Sequence, residues 1–287
     1  MSSRFSRLNM LTIIEHIESY LKNPFAPLWW PGLAQHLVRQ LEMHAEEYST
    51  SQWIACVPPE RAWHIANQGN VDFNFFVELL ATQPALQLSS RGMIFTDKVT
   101  VEIKSLNGLT QALKILQYVP SLATAIDNLT KSIHILEAPE PEIDISFSDP
   151  LIPFSVFLNV SEGQFADFRT AEALVHEAMH LQLSLIERFY PIATPNQGLH
   201  YSPWKQSRRP VTGLMHGLYV FRVIEQWLTN ISRVSEEAKE YSQKRKTQIR
   251  LEIDQLSPES LVDYLTEGGK KLLSCILGAA AHSCDHG

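Results

Sequence analysis

The chain has 287 residues, of which 45% are hydrophobic and 19% charged, so it can bury a core without disulfide bridges. Its formal net charge of −7 and isoelectric point of about 5.9 argue against a nucleic-acid-binding protein. The three cysteines are scattered without CxxC spacing, which predicts thiols in a reducing cytoplasm. No apolar run reaches the ~20 residues of a membrane span or has the form of a signal peptide. We therefore expect a cytoplasmic protein that binds neither nucleic acid nor membrane.

Helical periodicity dominates the first 130 residues. Apolar residues recur every three or four positions over 8–22, 33–48, 107–119 and 121–131. The prolines and the glycine of "NPFAPLWWPG" (residues 23–32) separate the first two helices. The sequence therefore predicts a mainly helical N-terminal part, residues 1–130.

Residues 132–160 have a different composition. They are rich in Ile, Val and Phe and are interrupted by prolines, which favours short strands. Helical periodicity returns over 168–190, 211–232, 235–256 and 259–281. The whole pattern predicts an α+β fold that is predominantly helical, with a second part, residues 131–287, integrated with the first into one unit.

The segment "ALVHEAMHLQLSLIERF" (residues 173–189) contains two histidines four positions apart and a glutamate directly after the first. On a helix His176 and His180 lie about 40° apart around the axis, so both imidazoles can reach one ion at ~2.1 Å, with Glu177 beside them. Such a motif occurs by chance in roughly a few per cent of chains of this length. Here it lies on an amphipathic pattern after a strand-like segment, as in zinc peptidases. The motif therefore predicts a metal centre on a zincin-like helix, and two buried structural histidines are the alternative.

A metal centre of this kind needs a third protein ligand. The long metzincin pattern requires glycine at 183 and histidine at 186, but the chain has Leu183 and Ile186, which excludes that class. The remaining candidates are Glu225, which a thermolysin-like peptidase would use, and the histidines His200 and His216.

His216 lies in "PVTGLMHGLYVFRVIEQWL" (residues 210–228), a helical pattern in which Gly213 and Gly217 stand on either side of it. Small residues let a second helix approach closely, as a ligand that bridges two helices requires. His200 lies in the predicted loop "NQGLHYSPW" and suits a substrate contact better. We therefore predict that His176, His180 and His216 are the three metal ligands.

The segment "LVHEAMHLQLSLIE", followed by "HYSPWKQSRRPVTGLMHGLYVFRVIEQWL", resembles the HExxH-motif peptide-modification proteins, which are regarded as iron- and 2-oxoglutarate-dependent peptide β-hydroxylases. The resemblance covers about residues 144–232, and the second segment is its more specific part. Two positions depart from the family pattern: Lys205 replaces the usual arginine, and Ser207-Arg208 replaces an acidic-proline pair. The matching positions of the second segment are Tyr201, Ser202, Pro203, Trp204, Arg209, Pro210, Gly213, Leu214 and His216.

The resemblance implies an Fe(II) centre that uses 2-oxoglutarate as cosubstrate and O2 as oxidant. Ferrous iron suits imidazole ligands, and three protein ligands would leave three positions open. The distal carboxylate of 2-oxoglutarate needs a cation, and Arg209 is the first choice because it matches the family's Arg-Pro. The other cations considered for this role are Arg208, Arg222 and Lys205.

The substrate implied by the resemblance is a ribosomally synthesised precursor peptide, hydroxylated at a side-chain β-carbon. His200, Tyr201 and Trp204 are the predicted substrate-binding residues. In such an oxygenase Glu177 would orient the metal ligands and would not act as a base.

Two other functions stay open at this point. One is a Zn(II) metallopeptidase, in which Glu177 would be the general base for hydrolysis and Glu225 the third ligand. The other is a metal-free scaffold that binds a peptide. The second segment of the resemblance favours the oxygenase.

Overall fold

The computed structural model describes residues 2–23, 26–43, 62–66, 73–78, 103–138, 140, 142–149 and 154–283. Most of the chain is helical, with a few short strands, which confirms the predicted α+β, predominantly helical class. By their contacts, the residues divide into two compact units. The first unit comprises Met1–Leu37 with Gln182–Gly287, and the second comprises Val38–Leu181. The composition change near residue 130 falls inside the second unit, and a domain boundary there stays a prediction.

Apart from the last one, the helices occupy the predicted positions with most ends shifted by a few residues. In chain order they are α1 (Ser2–Leu21), α2 (Pro31–Met43), α3 (Ile103–Leu116), α4 (Pro120–Leu129), α5 (Ala166–Phe189), α6 (Val211–Ile231), α7 (Glu236–Ile253) and α8 (Glu267–Ser283). The last residues of the helix predicted over 33–48 lie outside the described part of the chain. Among the helices described, none is both long and apolar enough to cross a membrane.

The strands fall in three parts of the chain. They are β1 (Ala62–Ala66), β2 (Asn74–Glu78), β3 (Ser132–Ile135), β4 (Ser146–Phe147), β5 (Ser155–Leu158), β6 (His200–Ser202) and β7 (Ser207–Arg209). The middle three lie in the segment predicted to form strands. The first two lie in the part predicted to be mainly helical, and the last two form a hairpin where the sequence analysis expects a loop.

A five-stranded sheet forms in the second unit, with strand order β1-β2-β3-β5-β4. The three inner strands are parallel, and each edge strand is antiparallel to its neighbour. All four residues of β5 are buried, as expected for an inner parallel strand covered on both faces. On β5, the Phe157 ring stacks between His134 of β3 and Phe147 of β4, with centroid distances of 4.6 and 4.3 Å. The short edge strand β4 is thereby fixed, and it carries a residue of the candidate site.

The predicted helix over 259–281 is wrong in its first part. A 3-10 helix covers Pro258–Tyr264, and α8 begins only at Glu267. Between them Leu265 has an extended backbone and forms a β-bridge with Ala193. The Thr266 Oγ1 atom then accepts a hydrogen bond of 3.0 Å from the Gly269 backbone N–H, which caps α8. The periodicity of apolar residues runs through this break, so it did not reveal it.

The N-terminal residues belong to the first unit because polar side chains of its C-terminal part bind their backbone. The Leu28 N–H donates to Gln226 Oε1 at 3.0 Å, and the Trp30 N–H donates to Gln182 Oε1 at 3.3 Å. The Tyr219 hydroxyl donates to the Leu28 carbonyl at 2.7 Å, and Gln182 also contacts that hydroxyl. Burial raises the pKa of Tyr219, so its hydroxyl stays a neutral donor. These bonds satisfy a buried, non-helical stretch of backbone.

Candidate metal centre and hairpin

The helix α5 carries the two histidines of the motif. Leu174, Val175 and Ala178 are buried on it, which fixes its rotation within the second unit. His176 and His180 both remain partly exposed, and their rings meet edge to face with centroids 4.7 Å apart. Their Nε2 atoms are 3.1 Å apart.

The separation of these nitrogens fits two ligands of one ion. Two metal–nitrogen bonds of ~2.1 Å place their nitrogens about 3.0 Å apart at a right angle and about 3.4 Å apart at the tetrahedral angle. The observed 3.1 Å lies between those limits. The pair therefore suits octahedral and tetrahedral ions alike, and its geometry is compatible with Fe(II) and with Zn(II).

Glu177 is buried, with 3% of its side chain exposed, and both of its carboxylate oxygens accept hydrogen bonds. Ser146 Oγ donates to Oε1 at 2.7 Å, and Ser148 Oγ donates to Oε2 at 2.8 Å. The His176 Nε2 atom is 3.9 Å from Glu177 Oε1. The two serine hydroxyls therefore orient the carboxylate beside the histidine pair.

The sequence analysis missed these two serines. A signal for them was present, because Ser146 and Ser148 are two positions apart in a strand-like segment, so their side chains point to the same face. Nothing in the local pattern indicated that this face meets Glu177, about thirty residues further along the chain.

His216 lies on α6 in the first unit, and its Nε2 atom is 2.7 Å from Glu187 Oε2. Both side chains are partly buried. Carboxylates frequently orient metal-binding histidines in this way through one ring nitrogen. The sequence analysis did not single out Glu187. Across the described ranges, no three His, Cys, Asp or Glu side chains are grouped as metal ligands, and His216 as the third ligand stays a prediction.

Glu225, the alternative ligand, is held in two ion pairs within the first unit. Its side chain is 3% exposed, and its oxygens lie 2.6 Å from Arg222 Nη1 and 2.6 Å from Arg250 Nε. A buried carboxylate needs such partners. These two ion pairs therefore engage both oxygens of Glu225 and one nitrogen of Arg222.

The hairpin of β6 and β7 brings together the other predicted residues, all within the first unit. Its register pairs His200 with Arg209 and Tyr201 with Arg208. Directly opposed residues of an antiparallel pair share a face, and successive residues alternate between faces. His200 and Arg209 therefore share one face of the hairpin, and Tyr201 and Arg208 share the other.

The basic residues of the hairpin are exposed. Lys205, Arg208 and Arg209 form no ion pair with any residue in the described ranges. They differ in this from Arg222, which is paired with Glu225. Of the four cations singled out from the sequence, these three remain available to an anionic ligand.

Trp204 lies in the turn of the hairpin and packs on α6. Its ring stacks on Phe221 with centroids 5.1 Å apart and covers Gly217. The nearest side chain to Gly213 is Arg209, at 3.7 Å from the position of an added Cβ. The prediction that these glycines admit a second helix is therefore wrong, because the hairpin is what approaches them.

Two ring nitrogens of the hairpin are buried without a hydrogen-bond partner: His200 Nε2 and Trp204 Nε1. The His200 ring meets the Tyr264 ring edge to face, with centroids 4.9 Å apart. A buried ring nitrogen without a hydrogen-bond partner costs free energy. A bound polar group that pairs with either nitrogen would therefore be stabilised.

Cys275 is buried in α8, and burial raises the pKa of its thiol. The other two cysteines, Cys56 and Cys284, lie outside the described residues.

A comparison of the chain with protein-family models and with curated proteins finds no match. The resemblance to the peptide β-hydroxylases therefore rests on the residues of the two motif segments.

Proposed function

We propose that the protein is a non-haem Fe(II)- and 2-oxoglutarate-dependent oxygenase that hydroxylates a side-chain β-carbon in a ribosomally synthesised precursor peptide. The observation that supports the metal centre is the His176–His180 pair, whose nitrogens are spaced for one ion. The resemblance of the second motif segment favours iron and 2-oxoglutarate over zinc. The zincin-like character of α5 is part of the proposal, as is a cytoplasmic setting.

In this proposal His176, His180 and His216 hold the iron. When bound, iron and 2-oxoglutarate supply the oxidation of a C–H bond by O2, in which the keto acid loses CO2 and becomes succinate. The residues of the chain bind and orient the reactants. Glu177, fixed by Ser146 and Ser148, holds the histidine-bearing turn in place.

Arg209 anchors the distal carboxylate of 2-oxoglutarate. It shares a hairpin face with His200 and has no acidic partner in the described part of the chain. Arg222 is less suitable because it is paired with Glu225. Arg208 points to the opposite face, and Lys205 lacks the planar fork that binds a carboxylate through two hydrogen bonds.

Two contacts favour the oxygenase over a zinc peptidase. Glu225 would have to leave both arginines to bind a metal, which would uncover a buried charge pair. Glu177 is fixed by a serine hydroxyl on each of its oxygens, as suits a residue that orients the histidine-bearing turn.

The test is 2-oxoglutarate turnover by protein loaded anaerobically with Fe(II). We expect succinate formation, and a peptide product heavier by one oxygen atom with its backbone intact. Arg209→Ala should raise the 2-oxoglutarate concentration for half-maximal rate about tenfold or more, because it removes a charge-assisted contact. Bound iron should be unchanged.

Arg233→Ala is the matched control, because it removes the same charge from an exposed arginine outside the hairpin. An unchanged 2-oxoglutarate requirement in Arg209→Ala would move the anchor to another cation. A zinc-loaded protein that cleaves the peptide without 2-oxoglutarate would overturn the proposed function itself.

A further inference from the structure

The hairpin of β6 and β7 has an open edge. The two strands pair with each other, and residues 207–209 form no further backbone hydrogen bond to any described residue. All three residues of β7 are exposed. An exposed strand edge presents unpaired N–H and C=O groups, to which an extended peptide can add as a further strand.

The exposed side chains of the hairpin give this edge a chemical character. Tyr201 is 51% exposed, and Leu199, directly before the hairpin, is 57% exposed. Arg208 lies opposite Tyr201 on the same face. In a chain with a net charge of −7, this is a local basic and apolar surface.

We propose that the outer edge of β7, with the Tyr201–Arg208 face, binds an extended acidic peptide segment by strand addition. This inference rests on the proposed function in taking a peptide as substrate, and it adds where and by which chemistry that peptide is held. Main-chain hydrogen bonds to β7 bind the segment. On the face shared by Tyr201 and Arg208, a carboxylate of the segment pairs with Arg208. The side chains at the alternate positions of the segment lie on the opposite face.

A peptide fits this surface better than a nucleic acid. Nucleic-acid affinity depends on many phosphate contacts, whereas the hairpin offers three cations, Lys205, Arg208 and Arg209. The open backbone edge has no role in phosphate binding but is the recognition element for an extended peptide.

The first experiment measures binding to the full-length protein without iron or 2-oxoglutarate. The probe is a fluorescein-labelled ten-residue peptide of alternating Asp and Val, and its control carries Asn for Asp. We expect the Asp peptide to bind, with a Kd that rises with salt, and the Asn peptide to bind about tenfold more weakly or worse.

Arg208→Glu should raise the Kd of the Asp peptide about tenfold or more, because it turns an attraction into a repulsion. The matched control is Arg233→Glu, the same charge reversal at an exposed residue that follows α6. We expect that control to change the Kd less than about twofold, since Arg233 is outside the hairpin. Equal effects of the two variants would overturn the proposal.

The second experiment tests strand addition itself. Two peptides are compared, one N-methylated at its odd-numbered residues and the other at its even-numbered residues. Each of them lacks every second backbone N–H. In an added strand, alternate N–H groups face β7 and the others face away from it. Only one of the two methylated peptides should therefore lose binding. If both methylated peptides lose binding equally, or if neither loses it, main-chain hydrogen bonds do not hold the segment and the proposal is overturned.

Competition experiments address other occupants. A ten-nucleotide RNA that displaces the Asp peptide at equal concentration would overturn the peptide assignment. Self-association of the protein through the hairpin, abolished by Arg208→Glu, would also overturn it.

Failure of 2-oxoglutarate turnover with intact peptide binding would count against the proposed function alone. Turnover without peptide binding at the hairpin would count against this inference alone.

Discussion

At the scale of single residues, a change of Glu177 is the test between hydrolysis and oxidation. Its carboxylate is buried and accepts hydrogen bonds from Ser146 and Ser148. Glutamine is nearly isosteric and keeps both contacts available, because its oxygen can accept from one hydroxyl while its NH2 group donates to the other. The substitution therefore removes the charge and the base but keeps the shape.

We predict that Glu177→Gln keeps 2-oxoglutarate turnover within about tenfold of the unmodified protein, with the metal still bound. A hydrolase that relied on this base would lose about 10²–10⁴-fold. Succinate formation and bound metal are measured on the same preparation. Loss of turnover at full metal occupancy would contradict an orienting role for Glu177.

Glu177→Ala is the informative companion variant. It removes the carboxylate that accepts from both serines, so Ser146 loses its acceptor, whereas Ser148 keeps only the Glu177 backbone carbonyl at 3.3 Å. An unsatisfied buried donor costs about 1–3 kcal/mol. We expect urea denaturation to show a clear loss of stability in the alanine variant and a much smaller one in the glutamine variant.

At the scale of elements, the contact between the hairpin and α6 depends on one glycine. A Cβ added at Gly217 would lie 2.5 Å from Cζ3 of Trp204, whereas one added at Gly213 would meet Arg209 Cβ at an ordinary 3.7 Å. The Trp204 ring has little freedom to move, because it also stacks on Phe221. Two glycines one turn apart on the same helix therefore face different constraints.

We predict that Gly217→Ala lowers the free energy of unfolding by about 1–2 kcal/mol, as overpacking outweighs the gain in helix propensity. Gly213→Ala, the control, should be neutral or raise it by up to about 1 kcal/mol. Urea titration followed by tryptophan fluorescence measures both values. Equal changes in the two variants would show that Trp204 does not rest on Gly217.

At the scale of the whole molecule, the first unit is built from both ends of the chain. Trp30 is buried, and its ring centroid is 6.1 Å from that of Tyr219 on α6. The backbone around it is bound by side chains of Gln182 and Gln226. Residues before position 38 therefore complete the core around α6, although more than 140 residues separate them from it in sequence.

We predict that Trp30→Ala destabilises α6 by about 3–5 kcal/mol, the usual cost of removing a buried tryptophan side chain. The measurement is hydrogen exchange of the α6 amides, which should become faster. The control is Leu11→Ala, which also truncates an apolar side chain of the first unit but at a residue that is 60% exposed. If the α6 amides exchange no faster in Trp30→Ala, the segment around Trp30 and α6 do not form one cooperative unit.

The sequence was sufficient where structure depends on local spacing. His176 and His180 are four positions apart, and the period of the helix alone brings their rings to one side. The same local periodicity located the helices and the strand segment at 132–160. It did not find β2 or the break before α8, which depend on pairing with residues distant in the chain, nor β1, which pairs with β2. It also did not find the hairpin of β6 and β7, whose three-residue strands are too short to show a period.

The tertiary structure alone decided the partners of the charged and polar side chains. Ser146 and Ser148 reach Glu177, and Arg250 reaches Glu225, over separations of 25 to 31 residues. The register of the hairpin decided which arginine shares a face with His200. Helix periodicity relates only residues three or four positions apart, so a contact between distant residues exists only once hydrophobic burial has packed their elements together.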